Sequence, residues 1–416
     1  MSRQKIKQQT AKMTTMMTNK NILISGAGIA GTALAYWLKK FGFNPTIVEV
    51  SPKLREGGYG IDFWGAGFDV AEKMNIVPDL EKADLGIAEL LFVDENNKRK
   101  SGLNYKQIKK LMKGRAFTLL RSDLAKTIYN HLDNDIEIIF GDTITQILQG
   151  EEDVSVTFKT GKMRNFDLVV GADGLHSNVR NLIFGEEEQF EKYYGYYTSS
   201  FTFKNTEDAG KTFFTYNVPN KQAAVYTAGE NKSAFFIFAS SQKLSYKHHD
   251  IEAQKQILRN EFGDIGWECA DLLNKMETSF DFYFDTVSQI KMEQWSKGRV
   301  TLVGDACDCP SLLSGQGSTL AMVAAYILAG ELKDAKGDYK TAYTQYQNIF
   351  KPFIDNKQRI AQNFSKSLVP KSKFGIWMRN MFMNLMFLPF ISKLFIKQFM
   401  DDKLKLKTYE NSVANN

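Results

Sequence analysis

Residues 21–50 read NILISGAGIAGTALAYWLKKFGFNPTIVEV, and no other stretch of this 416-residue chain restricts its fold as tightly. A short apolar run at 21–25 leads into GAGIAG. A segment of helical spacing follows and closes on Gly42, and TIVEV at 46–50 forms a second apolar run. Strand, glycine turn, helix and strand in that order make a βαβ unit. Gly26, Gly28 and Gly31 permit a tight turn and let a pyrophosphate approach the backbone. The helix behind them offers free N–H groups and the positive end of its dipole. Glu49, at the end of the second strand, is placed to accept hydrogen bonds from a ribose diol.

A chain of this length exceeds one ordinary compact core, so two structural units are expected. REGGYGIDFWGAG (55–67) is glycine-dense and reads as a loop. AFTLLRSDLAKTIYNHL (116–132) reads as a strand running into a helix, with Ser122 or Asp123 as N-cap. IEIIFGD, VSVTFKTG and FDLVVGADG read as strands. The texture then changes. YYGYYTSSFTF (193–203), KTFFTYNV (211–218), AAVYTA (223–228) and SAFFIFAS (233–240) suggest an antiparallel sheet with one wet face. An amphipathic helix at 250–263 is followed by GRVTLVGDA (298–306), a buried strand with a sharp turn. The helix at 318–333 has small residues on one side, and a further helix follows, disturbed at Pro352. The expected class is α/β with an α+β insertion: one cofactor domain with a second domain grown out of it. The boundaries drawn are a disordered basic tail at 1–20, the cofactor domain at 21–185 and 291–365, the inserted sheet domain at 186–290, and an amphipathic helical segment at 366–416.

The net charge of +6 sits at the two ends of the chain, and the middle is net acidic, so no nucleic-acid-binding domain is read from it. Cys269, Cys307 and Cys309 are sparse, which fits a reducing cytoplasm and gives no disulfide framework. The N-terminus lacks the apolar core of a secretory signal. Residues 374–400, FGIWMRNMFMNLMFLPFISKLFIKQFM, are too interrupted to span a bilayer. Two readings stay open for them: a helix packed over the substrate entrance, or a basic amphipathic helix in peripheral contact with a membrane, which the finish KLKLK keeps alive.

Two further motifs carry chemistry. In DLVVGADGLHSNVR (167–180) a strand runs into Asp173-Gly174. In VGDACDCPSLLSGQG (303–317) a strand ends at Gly304-Asp305, and a loop reaches Gly315-Gln316-Gly317 before a helix. A carboxylate there can bind sugar or ribityl hydroxyls, and a helix N-terminus can stabilise negative charge on a ring. No CxxC or clustered histidine supports a metal site at Cys307 and Cys309.

With these three motifs in this order, the chain resembles the flavoprotein aromatic hydroxylases, the single-component FAD monooxygenases typified by p-hydroxybenzoate hydroxylase, from about residue 20 to about 365. GGYGIDFWG and GDACDCPSLLSGQG look closest to the tetracycline-inactivating flavin monooxygenases and related antibiotic or polyketide hydroxylases. The resemblance implies a Rossmann-like FAD-binding domain with an inserted antiparallel-sheet substrate domain and C-terminal helices. It implies that Gly26, Gly28 and Gly31 hold the FAD pyrophosphate and Glu49 the adenosine ribose. Gly57, Gly58 and Asp62 would lie on a mobile loop near the flavin, with Arg55 contacting NAD(P)H. Arg121 would reach the FAD, Asp173 and Gly174 would serve FAD and NAD(P)H, and Asp305 would bind the ribityl chain. Gly315, Gln316 and Gly317 would open the helix under the flavin ring. The sequence departs from the family at Asp308, where His is usual, at Ser311-Leu312, where a Pro pair is common, and at Thr319, where Asn is usual.

The implied reaction uses NADPH or NADH and O2 to hydroxylate a small aromatic, polyketide or tetracycline-like substrate through a flavin C4a-hydroperoxide, with the substrate between the aromatic sheet and the flavin. No catalytic base is assigned. The alternatives are another FAD-dependent oxidoreductase, such as an epoxidase or reductase relative, and a non-catalytic flavoprotein that binds an aromatic ligand. A Trp-x-Trp-x-Ile-Pro-like stretch, expected of a halogenase, is missing from the sequence.

Overall fold

The computed structural model describes residues 17–55, 58–205, 210–247, 249–279, 281–385 and 404–409. Its first layer is a six-stranded sheet in the order Ser296–Lys297, Val300–Leu302, Leu168–Gly171, Asn21–Ser25, Asn44–Glu49, Glu137–Phe140. All neighbours run parallel except the short first pair. The central strands are buried almost end to end, as parallel strands covered on both faces must be. Helix Ile29–Lys40 packs on helix Gly317–Asp334, with Trp37 and Tyr326 ring centroids 4.7 Å apart. Gly67 lies so close to this second helix that a Cβ there would sit 2.4 Å from Thr319 Cγ2.

A seven-stranded sheet forms the second unit, in the order Tyr283–Ile290, Glu191–Lys204, Asn231–Ala239, Lys221–Ala228, Thr212–Val218, Glu89–Val93, Arg99–Asn104. Pairing is antiparallel except between Thr212–Val218 and Glu89–Val93. The sheet therefore takes in two strands from well before 186–290, because Glu89–Val93 supplies the backbone partner that Thr212–Val218 needs on its free edge. On one face Tyr197, Phe201, Phe236 and Phe238 pack against helices Ile251–Phe262 and Cys269–Met276. The other face carries Tyr226, whose hydroxyl accepts from Gly60 N, and Tyr283, whose ring meets Tyr59.

Several local expectations are corrected. The 55–67 stretch is not all loop. Gly60–Trp64 is a strand paired with Ala116–Leu120, because Ile61 and Phe63 alternate into the core beside Phe117 and Leu119. Helix Arg121–Asn130 is capped at Leu120, not at Ser122 or Asp123, and has no side-chain cap. Helix Tyr339–Leu368 runs through Pro352, since buried Tyr346, Phe350 and Ile354 hold its apolar face to the core across the missing N–H. The basic tail of 1–20 is tied down at its end: Thr18 N donates to Lys336 O (3.0 Å) and Asn19 Nδ2 to Gly337 O (2.8 Å). Residues 1–16 lie outside the described residues. In the 366–416 segment, Lys373–Leu385 is helical but 404–409 is not. Tyr409 is buried against helix Gly317–Asp334, its hydroxyl donating to Glu331 Oε1 (2.7 Å), so KLKLK leads into a core contact.

Candidate active site

Three neighbouring parallel strands, Val300–Leu302, Leu168–Gly171 and Asn21–Ser25, bring the three motifs to one edge of the sheet. Open α/β sheets bind ligands at the carboxyl ends of their strands. Gly26 has φ +107°, and a Cβ there would meet Ala172 O at 2.6 Å. A Cβ on Gly31 would meet Gly26 O at 1.9 Å. These two glycines close the turn on itself. Gly28 differs: nothing lies within 4 Å of the place its Cβ would take, and it caps helix Ile29–Lys40 without any side-chain hydrogen bond. The turn thus leaves backbone N–H groups and open space together, which fits a pyrophosphate.

Glu49 stands beside this turn. Its Oε2 accepts from Ala27 N (2.8 Å) and its Oε1 from Ser51 N (2.9 Å). Each oxygen retains a second lone pair for a diol. Asp173 is committed inward: Ser177 Oγ (2.5 Å), Val179 N (3.0 Å) and Ser25 Oγ (3.3 Å) all donate to it. Burial raises its pKa against these hydrogen bonds. It fastens the end of Asn21–Ser25 to helix Asn178–Ile183. Gly174, with φ +82°, lets the chain turn after it.

Gly304, with φ +66°, lies against the glycine-turn helix, where a Cβ would stand 3.1 Å from Ala30 Cβ. Asp305 follows, half-buried. Gly317 begins the long helix next to it, its would-be Cβ 3.7 Å from Asp305 Oδ1. Gly315 (φ +62°) and Gln316, whose N donates to Ser314 Oγ, shape this entry, and the helix start has no side-chain cap. Burial raises the Asp305 pKa, and the positive charge of Arg121 opposes it. Arg121 N donates to Tyr59 O at 3.2 Å. Two uncapped helix ends, a glycine cradle and a carboxylate beside an arginine fit the phosphates and sugar of FAD.

The remaining candidates spread outward. Gly58 N donates to Asp281 Oδ2 (2.9 Å), which ties this turn to the seven-stranded sheet. Gly57 lies outside the described residues. Asp62 is on a strand, accepting from Thr118 Oγ1 (3.2 Å) and Tyr105 Oη (3.1 Å), and burial raises its pKa. Its place on a mobile loop is thereby corrected. Arg55 is exposed, with Nε donating to Ser51 Oγ at 3.2 Å. Cys307 and Cys309 are buried, their thiols 3.5 Å from Gly304 O and 3.8 Å from Ser288 O.

Sequence reasoning missed the residues that join the two sheets. The Tyr59 and Tyr283 rings lie 5.7 Å apart, and both feel the charges of Arg121 and Asp285. Burial pushes the Tyr59 pKa up to about 12. Tyr283 Oη donates to Asp285 Oδ2 (3.3 Å), and His176 bridges Asp285 to Glu187. Arg180, fully buried, donates to Glu187, to Leu175 O and to Ala306 O. Only LHSNVR after Asp173-Gly174 gave a local signal of this network.

A parallel sheet with a glycine cradle at its carboxyl edge, closed over by a second sheet, is the architecture of a dinucleotide-dependent oxidoreductase. The family model described as FAD binding domain matches residues 19–342, and the chain belongs to that family. It is 38% identical over 372 residues to a flavin-dependent monooxygenase of Legionella longbeachae, covering 88% of this chain and 91% of that one. Among solved structures, tetracycline destructase Tet(51) superposes with TM-score 0.81 at 32% identity, covering 93% of this chain and 99% of that one. Tet(55) gives 0.80 at 33%, covering 94% and 100%. The protein is an FAD-dependent monooxygenase with the fold that the resemblance implied.

Proposed function

We propose that the protein uses NAD(P)H and O2 to hydroxylate an oxygen-rich aromatic substrate of the polyketide or tetracycline type, held against the inner face of the seven-stranded sheet. One observation carries the substrate class. Strand pairing sets Ser200 opposite Tyr283 and Thr198 opposite Asp285, so both hydroxyls share the face on which the Tyr283 ring meets Tyr59. Thr215 lies on the same face through the row Ser200, Phe235, Ala224, Thr215. The hydroxyls of all three are buried without a hydrogen-bond partner among the described residues. Buried polar groups are normally paired, and a ligand carrying several oxygens beside its rings would pair them. Tetracycline destructases at 32% and 33% identity support this class.

The chain's own residues divide the work. Gly26, Gly28 and Gly31 would seat the pyrophosphate, Glu49 the ribose, and Asp305 with Arg121 the ribityl region. The N-terminus of helix Gly317–Asp334 would favour negative charge at the ring. Asp173 and Gly174 would act by holding the floor of the site, with Arg55 at the exposed rim for the nicotinamide cofactor. Bound FAD would supply reduction by NAD(P)H and activation of O2. Phe235 and Tyr283 would orient the substrate ring and exclude water.

The test uses FAD-loaded protein, with NADPH and NADH oxidation followed with and without tetracyclines and a panel of phenols, and product mass measured. Ligand-stimulated oxidation with a product heavier by one oxygen is expected. Thr198→Val and Ser200→Ala should raise KM by roughly two- to tenfold each at unchanged FAD content, the worth of one hydrogen bond. Unchanged KM in both would remove the hydroxyl face from the substrate site.

A further inference from the structure

Helix Lys373–Leu385 is attached to the protein by its polar residues. Asn380 Oδ1 accepts from Ser101 Oγ (2.9 Å), and Asn384 Nδ2 donates to Lys100 O (3.0 Å). Arg379 donates to Asn217 Oδ1 (3.0 Å) and lies 3.9 Å over the Phe92 ring. The apolar residues face the other way. Phe374, Trp377, Met378, Met381, Phe382 and Leu385 recur at intervals of three and four and form one exposed stripe, with Phe374 68% and Trp377 57% exposed. A helix of a globular protein ordinarily buries its apolar face and wets its polar one. Here the arrangement is reversed, and so large an apolar patch marks an interaction surface.

The charge around the stripe indicates the partner. The helix lies on edge strand Arg99–Asn104. Residues 98–115, which include that strand, carry eight Lys or Arg and no acid, of which Lys100, Lys109 and Arg115 pair with Asp94, Asp84 and Asp69/Glu72 from outside this stretch. Lys98, Lys106, Lys110 and Lys113 are exposed, as are Lys371 and Lys373 at the start of the helix. Residues 371–385 also contain no acid. Aromatic and apolar side chains beside exposed lysines match an anionic bilayer surface. A second copy presenting the same face would set one lysine rim against another. No helix among the described residues is long and apolar enough to cross a membrane, so the contact would be peripheral.

We propose that the Phe374–Leu385 stripe docks on an anionic lipid bilayer, with the 98–113 edge lying on the headgroups. This inference does not depend on the substrate class proposed above. The experiment is flotation of full-length, FAD-loaded protein with phosphatidylcholine vesicles, with and without phosphatidylglycerol. Wild type is expected to float with the anionic vesicles, to float at least about tenfold less with neutral ones, and to be released by salt. Phe374→Ser with Trp377→Ser, and separately Lys106→Glu with Lys110→Glu and Lys113→Glu, should each abolish flotation while flavin absorbance and melting temperature stay unchanged. Brominated lipid should quench wild-type tryptophan fluorescence and leave the Trp377 variant unaffected. Failure of wild type to float, or flotation of both variants like wild type, overturns the proposal. So does a concentration-dependent dimer that the Phe374/Trp377 variant dissociates without any vesicle binding, which would assign the face to a second copy.

Discussion

Nε2 of His176 lies 3.1 Å from Oδ2 of Asp285, and this contact joins the loop after Asp173-Gly174 to the edge strand of the seven-stranded sheet. Nδ1 of the same ring meets Glu187 at 2.9 Å. Burial works against the imidazolium, but the two carboxylates outweigh it and raise the His176 pKa from 6.5 to about 10. A raised folded-state pKa stabilises the fold fully below about 6.5, and that contribution is lost as pH rises through about 10. The ring is 38% exposed, so screening holds the effect to the order of 1 kcal/mol. His176→Gln should therefore melt below wild type at pH 6, with the gap closing towards pH 10. A gap independent of pH would show that the imidazolium is not the source.

The glycine turn separates a folding role from a binding role. Gly31→Ala drives a Cβ into Gly26 O, and should destabilise the apoprotein by about 1–3 kcal/mol or more. Gly28→Ala meets open space at an extended φ of −74°. Its apoprotein should melt within about 1 kcal/mol of wild type, while FAD binds at least about tenfold more weakly, roughly 1.4 kcal/mol. Titration of apoprotein with FAD, alongside thermal melts, distinguishes the two; equal FAD affinity for Gly28→Ala and wild type would place the pyrophosphate elsewhere.

Asp308 is fully enclosed, and its Oδ2 has no hydrogen-bond partner among the described residues. Burial, reinforced by the charge of Asp305, holds its pKa well above the usual carboxylate range. An acid with a raised folded-state pKa costs nothing at low pH and destabilises increasingly as pH climbs past its unfolded value of about 4. Asp308→Asn should match wild type near pH 4 and melt higher at pH 8. A lower melting temperature at pH 8 would mean the carboxylate is ionised and paired in solution.

Gly330 in helix Gly317–Asp334 touches the Tyr409 ring, and a Cβ there would stand 2.2 Å from it. Gly330→Val should expel Tyr409 and cost about 1–3 kcal/mol. Tyr409→Ala should itself cost about 3 kcal/mol or more, the loss of a buried aromatic, and should largely relieve the Gly330→Val penalty in the double variant. Additive losses in that double-mutant cycle would rule out the contact.

What could be read from the sequence was local. The βαβ unit was legible because period, glycine spacing and Glu49 all lie within thirty residues of one another. Strand Gly60–Trp64 was not, since the five glycines of 57–67 mask the alternation of Ile61 and Phe63. The neighbours of Leu168–Gly171 come from near the start and near the end of the site-bearing chain, and no local pattern announces that order. The Tyr59 and Tyr283 pair escaped notice for the same reason: each reads as one more aromatic until the two sheets meet. The outward apolar stripe of Lys373–Leu385 shows the reverse limit. Its periodicity was visible, but only the fold reveals which side faces the protein.

Strand Val300–Leu302, which completes the wall carrying Asp305, emerges from the ribosome only after every strand of the seven-stranded sheet has been made. The guest domain can thus mature while its host is still unfinished. Until residue 302 is available, the edge of Leu168–Gly171 is an unpaired strand edge, prone to wrong partners. With Asp305 holding the ribityl region as proposed, flavin capture would wait for this late strand, and a nascent chain that stalls between the two sheets would be colourless and exposed to quality control.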